Sequence, residues 1–360
     1  MITVLHLISS LPRGGRERQL ATLYKYSKGS DVVNRIICFN KTQDSYVEEY
    51  EMGEDVFYLT SKNIFKRLVQ IRSLIKDQNP DLIWTWGGFE ASIGVLMTLL
   101  LRITHVNGSI RHGIVRLNKK QLWRMFILHL SRYRVANSKA GLKANRLKKG
   151  FVLYNGLDTQ FFDTDKNAEK EILRQFNIPP DNLVLISVAN LVPYKDYKTV
   201  IKALGEILAE RKYKFQYLII GEGPERHHLE RLIKELNLQA NITIAGRRKD
   251  IRCLLISADI YIHSSRGEGC SNAILEAMAA GLPIIATDTG GTSEIVEKEN
   301  GICFQFKNIY QLKKSILMLF DKPDLRNRMG NNSRKLAFEK YSATFFFQKY
   351  YKILMDTLGP

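Results

Sequence analysis

The sequence predicts an α/β protein of two doubly wound domains, each a parallel sheet covered by helices on both faces. Three observations point there. Short runs rich in Val, Ile and aromatic residues alternate with stretches of helical period along most of the chain. The alternation falls into two blocks, parted by a stretch with no period. A length of 360 residues with 45% apolar content exceeds one ordinary core and suffices for two.

Taken in order, "ITVLHLIS" reads as the first strand: its apolar run meets Ser-Ser and a Pro-Arg-Gly-Gly turn too early for a signal peptide. Arg16 to Tyr26 reads as a helix, and "NRIICF", "DVFYL", "DLIWTW", "THVNGSI" and "YRVANS" as the further strands of the first block. The most lipid-like stretch, Ala91 to Leu101, stops at Arg102, well short of the roughly 20 residues a spanning helix needs. "NGLDTQFFDTDKNAEKE" carries turn residues and charge, which places a linker near Asp163 to Lys170. The second block has strands at "NLVLISVAN", "FQYLIIGEG", "NITIAG", "ADIYIHS" and "LPIIATD", with helices at Tyr197 to Arg211 and Glu225 to Leu236 between them. Beyond Phe320 the pattern becomes two helices, the last too aromatic to sit in water. The expected domains are residues 1–163, with a C-terminal helix over about 341–360 packing back on them, and residues 171–340.

The net charge of +18 is unevenly placed. Met1 to Leu157 holds 25 Lys and Arg against 11 Asp and Glu, whereas Asp158 to Pro360 holds 29 against 25. Within the first half, Ala91 to Leu157 has 13 basic residues and no acid. Such a field draws that half toward an anionic surface, nucleic acid or lipid. In "NKKQLWRMFILHLSRYR", Leu122, Trp123, Phe126, Ile127 and Leu130 fall at helical spacing beside Lys119, Lys120, Arg124, Arg132 and Arg134. That is the pattern of a basic amphipathic helix on an anionic membrane surface. Cys38, Cys253, Cys270 and Cys303 form no CxxC pair, which argues against a disulfide framework or structural zinc and for a reducing compartment.

The densest motif is "SSRGEGCSNAILEAMAAGLPIIATDTGG", Ser264 to Gly291. A buried strand leads into the loop "RGEGC", then into a helix over Asn272 to Ala280, capped by Ser271 or Asn272 and ended by Gly281 before Pro283. The first-turn amides and the dipole face the loop, which suits a phosphate. Glu276 sits on a helix apolar nearly all round, where an unpaired acid is costly, and can accept hydrogen bonds from vicinal hydroxyls such as those of a ribose. Glu268, on the loop, faces whatever lies beyond the phosphates. The pattern suits a nucleotide with a hydroxylated group on its far side. In the first block, Gly14 and Gly15 lie between strand and helix, where backbone can approach a diphosphate closely. Trp86, Gly87 and Gly88, at the end of "LIWTWGG", are acceptor-cleft residues on topological grounds.

At these residues the sequence resembles the retaining GT-B glycosyltransferases of family 4, also called glycosyltransferase group 1. The spacing from Glu268 to Glu276 within "EGCSNAILEAMAAGLPIIATDTGGTSEIV" looks like their E-x7-E signature. "GGRERQL", "VANSKAG", "VLYNGLDTQFF" and "GEGPE" resemble further segments of the family along nearly the whole chain. The resemblance implies two facing Rossmann-like domains with an interdomain cleft, the first binding acceptor and the second a nucleotide-sugar. It implies that Glu276 binds the donor ribose, that Glu268 contacts the transferred sugar, and that the backbone of Gly269, Cys270 and Ser271 supports that sugar. Amides near Asn272 and Ala273 would take the diphosphate, and Lys195 in "ANLVPYKDY" matches the family's phosphate-binding lysine. A cation there stabilises the leaving diphosphate, so no metal or other cofactor is expected. Asn190 stands where the family often has an arginine, leaving neutralisation to Lys195, helix ends or another cation such as Arg266 or Arg16. Asn190 and Arg247 complete the expected donor-binding set, and Arg111 and His112 in "GSIRHG" occupy the place of the family's catalytic-side histidine.

The implied activity is transfer of a hexose or N-acetylhexosamine, from UDP rather than GDP, to a lipid-linked or polysaccharide acceptor. Capsule, exopolysaccharide or O-antigen assembly is the expected setting, on the inner, cytoplasmic face of the cell membrane. A GT-B phosphorylase or glycolipid synthase would share the fold, whereas a nucleic-acid-binding protein would explain the charge but not the paired acids. The D-x-D of Asp163 to Asp165 falls in the linker rather than at a strand end, which argues against a metal site. "GEGPER" lacks the third glycine of a dinucleotide fingerprint.

Overall fold

The computed structural model describes residues 1–43, 45–114, 118–162, 170–210 and 213–359. Asp163, Asp165 and the rest of the expected linker up to residue 169 lie outside the described residues. The chain divides into two compact units, the first made of Met1–Gly156 and Ala343–Pro360, the second of Leu157–Ser342.

The first unit is built on strands β1 (Ile2–Ile8), β2 (Val32–Cys38), β3 (Val56–Tyr58), β4 (Leu82–Thr85), β5 (Thr104–Ile110), β6 (Tyr133–Ala136) and β7 (Phe151–Val152). They form one sheet in the order β3-β2-β1-β4-β5-β6-β7, parallel throughout. Its helices are α1 (Gly15–Ser27), α2 (Tyr46–Glu49), α3 (Ile64–Gln78), α4 (Gly88–Leu101), α5 (Lys119–Leu130) and α6 (Lys139–Ala144). Side-chain caps start several of them: Asn63 Oδ1 accepts from Phe65 N at 2.9 Å, and Asn118 Oδ1 from Gln121 N at 2.8 Å. The lipid-like stretch forms most of α4, which buries Ala91, Ile93 and Met97. Among the described residues, no helix is long and apolar enough to cross a membrane.

The second unit carries β8 (Leu183–Val188), β9 (Phe215–Ile220), β10 (Ile242–Gly246), β11 (Ile260–His263), β12 (Ile284–Thr287) and β13 (Gly301–Phe304), in the order β10-β9-β8-β11-β12-β13 and again all parallel. Its helices are α7 (Tyr197–Glu210), α8 (Arg226–Glu235), α9 (Ile251–Ile256), α10 (Asn272–Ala279), α11 (Ile309–Asp321) and α12 (Pro323–Lys340). Glu225 and Leu236, expected as members of α8, are its caps. Leu185, Tyr217, Ile219, Ile262 and Ile285 pack from the strands against Ile201 and Leu204 of α7 in one core. Strands buried on both faces explain why they read as nearly unbroken apolar runs.

The chain then returns to the first unit as α13 (Ala343–Leu358). Its aromatic side is the reason. Phe346, Tyr350, Ile353 and Leu354 join Val4, Ile36 and Trp84 in a single core. The fully buried Tyr350 ring lies 5.0 Å from that of Trp84, and its hydroxyl donates to Asn34 Oδ1 at 3.1 Å.

Replacing Tyr350 with Ala leaves a cavity between α13 and the sheet and should destabilise the first unit by on the order of 3–5 kcal/mol. Tyr350→Phe, which removes only the hydroxyl, should cost about 1 kcal/mol. Urea unfolding followed by far-UV circular dichroism measures both, and equal losses would show that the ring is not what anchors α13.

Candidate functional site

In both sheets the strand order reverses once, between β1 and β4 in the first unit and between β8 and β11 in the second. Such a reversal opens a crevice at the carboxyl ends of the strands, because the helices that follow them leave to opposite faces.

In the second unit the segments leaving β8 and β11 are tied together. The backbone amide of Arg266 donates to the Tyr194 carbonyl at 2.7 Å, and Ser264 Oγ donates to the Lys195 carbonyl at 2.7 Å. These bonds deliver Lys195 to Glu268, 73 residues later: the Lys195 ammonium donates to Glu268 Oε1, and the two side chains are 13% and 19% exposed. Glu268 is held in turn by its backbone, which bridges to Gly290 and whose carbonyl accepts from Gly291 N at 2.8 Å. Burial lowers the Lys195 pKa from 10.5 to about 8. The facing carboxylate opposes that shift, since an adjacent anion favours the ammonium.

His263, the last residue of β11, is a third member that sequence reasoning missed. Its ring lies nearly parallel to that of Tyr261, with centroids 6.2 Å apart. Nε2 stands 3.6 Å from Glu268 Oε1, too far for a hydrogen bond, and finds no partner among the described residues. Burial first and the Lys195 charge second hold its pKa well below 6.5, so the imidazole is neutral near pH 7. Ser265 Oγ and Thr292 Oγ1, also buried, likewise lack partners among the described residues. The signal in the sequence was a polar residue closing an apolar strand directly before the motif, "IYIHSS".

α10 begins immediately after this loop. Ser271 holds its N-cap position, with no capping bond from its side chain, and Asn272 is the first residue of the helix. Six of the eight residues of α10, Ile274 through Ala279, are buried, and Glu276 among them is 8% exposed. Gly281, at φ +79°, ends the turn in the left-handed region that L side chains rarely adopt. Gly269, Cys270 and Ser271 are buried beside Glu268, and Asn272 and Ala273 are half-buried at the helix start. Asn190 and Arg266 are exposed. Arg247 is exposed just after the edge strand β10, two strands from β8.

In the first unit, Gly14 is the N-cap of α1, and Gly15 begins the helix. Glu17 folds back against Gly14 and is bound by Arg16, whose Nη2 donates at 2.6 Å. The amide end of α1 thus faces a carboxylate of its own chain, and Arg16, also bonded to Ser9 Oγ at 3.0 Å, is engaged locally. Arg111 and Trp86 come together, the guanidinium carbon lying 4.7 Å from the ring centroid while Nη1 donates to Asn155 Oδ1 at 2.9 Å. His112, next in the chain, is exposed. The Trp86 indole donates to His6 Nδ1 at 3.0 Å, which places the His6 proton on Nε2, 2.8 Å from Asn34 Oδ1. Burial pushes the His6 pKa down to about 4, so this neutral arrangement persists around pH 7. Gly87 is the N-cap of α4 and Gly88 its first residue.

Two parallel doubly wound units, with charged side chains at the strand ends beside the reversal of the second sheet, define a protein of the GT-B class. HepE of Anabaena, solved with UDP, superposes with a TM-score of 0.86 at 20% identity, covering 99% of this chain and 100% of that one. A Rickettsia africae glycosyltransferase gives 0.84 at 22%, covering 99% and 98%. Residues 168–336, just under half of the chain, match the family model described as glycosyl transferases group 1. Among relatives, the putative glycosyltransferase EpsF of Bacillus subtilis is 28% identical over 79% of this chain and 79% of its own. An uncharacterized glycosyltransferase of Haemophilus influenzae is 31% identical, but the match spans 48% of this chain and about half, 49%, of that protein.

Proposed function

We propose that the chain transfers a hexose or N-acetylhexosamine from a UDP-sugar to a hydroxyl of a lipid-linked or polysaccharide acceptor, with retention at the anomeric carbon. The observation that carries this reading is the Lys195–Glu268 pair beside the start of α10, at the strand reversal of the second unit. On donor binding Lys195 turns to the diphosphate, joined by the α10 amides, and Glu268 is released to the sugar hydroxyls. Glu276, one turn into α10, takes the ribose. In the transfer the bond from the anomeric carbon to the diphosphate oxygen breaks, the bond to the acceptor oxygen forms, and the acceptor's hydroxyl proton leaves with the diphosphate. Lys195 and the helix amides stabilise the charge developing on the leaving group, which is how the chain would work without a metal. HepE binds UDP and, in another structure, UDP-glucose, which favours UDP over GDP here.

The setting we propose is envelope glycan assembly on the cytoplasmic face of a membrane, with the first unit docked on anionic lipid. Supporting it, Leu122, Trp123, Phe126 and Leu130 on α5 are each more than half exposed, at 56%, 56%, 54% and 52%. They lie inside the acid-free basic stretch, so apolar insertion and electrostatic attraction act on the same helix.

Titration calorimetry with UDP tests the donor site: wild type should bind, and Glu276→Gln should bind at least tenfold more weakly. Absence of binding by wild type, or an unchanged variant, would sink the assignment. The cationic form of Lys195 holds the diphosphate and is lost as pH rises through about 8, so UDP affinity should fall between pH 7 and 9. Lys195→Met should bind weakly across that range and show no such fall. For the membrane surface, flotation at low salt with vesicles of phosphatidylcholine and phosphatidylglycerol should carry wild type upward, and the Trp123→Ser/Phe126→Ser double variant much less. Wild type left in the bottom fraction would refute the docking.

A further inference from the structure

Besides the three in the second unit and Thr42 Oγ1 beyond β2, five buried side-chain atoms without a hydrogen-bond partner among the described residues lie on β4, β5, the helices α4 and α5, and the residue after β6 in the first unit. They are Trp84 Nε1, Glu90 Oε1, Ser109 Oγ, Arg124 Nε and Asn137 Oδ1. Several of these residues meet the same backbone. The Arg124 guanidinium donates to the Ser109 carbonyl, and its Cδ lies 3.5 Å from where a Gly88 Cβ would be. The Glu90 carboxylate lies against Gly87, so close that any side chain there would collide with it. Asn137 N donates to the Ile110 carbonyl at 3.0 Å, one residue beyond Ser109.

Glu90 is the decisive member. It is 3% exposed, and its Oε1 accepts from no described residue. Arg124 is desolvated enough that burial lowers its pKa, and its Nε donates to none. An anion and a cation thus stand near the same strand ends, each with hydrogen-bonding capacity left over, an arrangement that costs stability unless something else completes it. Gly88 and Arg124 are half-buried and Phe89 is 53% exposed, so the cluster has a side that reaches the surface.

We infer that Glu90 and Arg124 are hydroxyl-binding groups of an acceptor subsite in the first unit, whose ligand is a pyranose ring with two neighbouring free hydroxyls. A carboxylate accepts from such hydroxyls and a guanidinium donates to them, so one sugar edge answers both groups. Ser109 and Asn137 add an acceptor or donor each, and the exposed Phe89 ring offers an apolar surface for the sugar's C–H face. Gly87 and Gly88, read from the sequence as acceptor-cleft residues, are on this account the backbone frame that leaves Glu90 its place. The inference rests on the reading of the chain as a sugar transferase to a hydroxylated acceptor.

Saturation-transfer NMR tests it on the full chain, with methyl α-D-glucopyranoside, methyl α-D-galactopyranoside and methyl N-acetyl-β-D-glucosaminide as probes. At least one glycoside should bind wild type, and Glu90→Leu and Arg124→Met should each weaken it tenfold or more. Glu90→Gln, which keeps shape and an acceptor oxygen, should weaken it less. UDP affinity, measured on the same samples, should stay at the wild-type value in all three, and their far-UV circular dichroism and urea unfolding should match wild type, which shows that the first unit is still folded. Glycoside binding unaltered by Glu90→Leu and Arg124→Met, or no binding of any of the three by wild type, would overturn the subsite. Failure of wild type to bind UDP strikes the donor reading in the second unit instead, and the two outcomes are read from separate titrations.

Discussion

Every pair of neighbouring strands among the described residues is parallel, and that constraint places the chemistry. When strands run the same way, each must be followed by a crossover, so all carboxyl ends collect at one edge of the sheet with the segments that lead into the helices. There the ladder stops and polar groups must find partners elsewhere. Lys195 follows β8, His263 ends β11 and Glu268 and Glu276 follow it in one unit, while Trp86, Glu90, Arg111 and Asn137 follow β4, β5 and β6 in the other. The buried polar atoms left without partners gather at these same edges, which is where a ligand can complete them.

The Lys195–Glu268 pair shows how a site of this kind tolerates its own charges. Both side chains are mostly shielded from water, and either alone would be costly to bury. Paired, they neutralise each other while the Ser264 hydroxyl on the Lys195 carbonyl and the Gly291 amide on the Glu268 carbonyl keep them in place. A ligand bringing both an anion and hydroxyls can exchange one pair for two sets of contacts, so the cost of breaking the ion pair is offset within the site. The neutral His263, 3.6 Å from the carboxylate, adds a polar neighbour without adding charge.

The units differ in what they show to solvent. The first carries most of the positive charge and a row of exposed apolar side chains on α5, whereas the second is nearly balanced in charge. The sheet of the first unit also needs α13, since Tyr350 packs over Trp84 in its core. The chain therefore runs through the second unit before the first is complete.

The sequence by itself determined what is local. Strand and helix alternation, the glycine and capping signals, the helix from Asn272 onward and the eight-residue step from Glu268 to Glu276 are all encoded within a turn or two of chain, where 3.6- and 2-residue periods decide which side chains share a face. The charge asymmetry was legible for the same reason, being a property of composition. What only the tertiary structure decided is which strand ends become neighbours. Lys195 meets Glu268 because β8 pairs with β11, 75 residues later, and Trp86 takes His6 as its acceptor because β1 pairs with β4. Arg111 donates to Asn155, 44 residues later, and Arg247 follows the edge strand β10, two strands from β8. Strand order is set by the packing of helices on both faces of a sheet, a sum over many distant contacts that no short window of sequence contains.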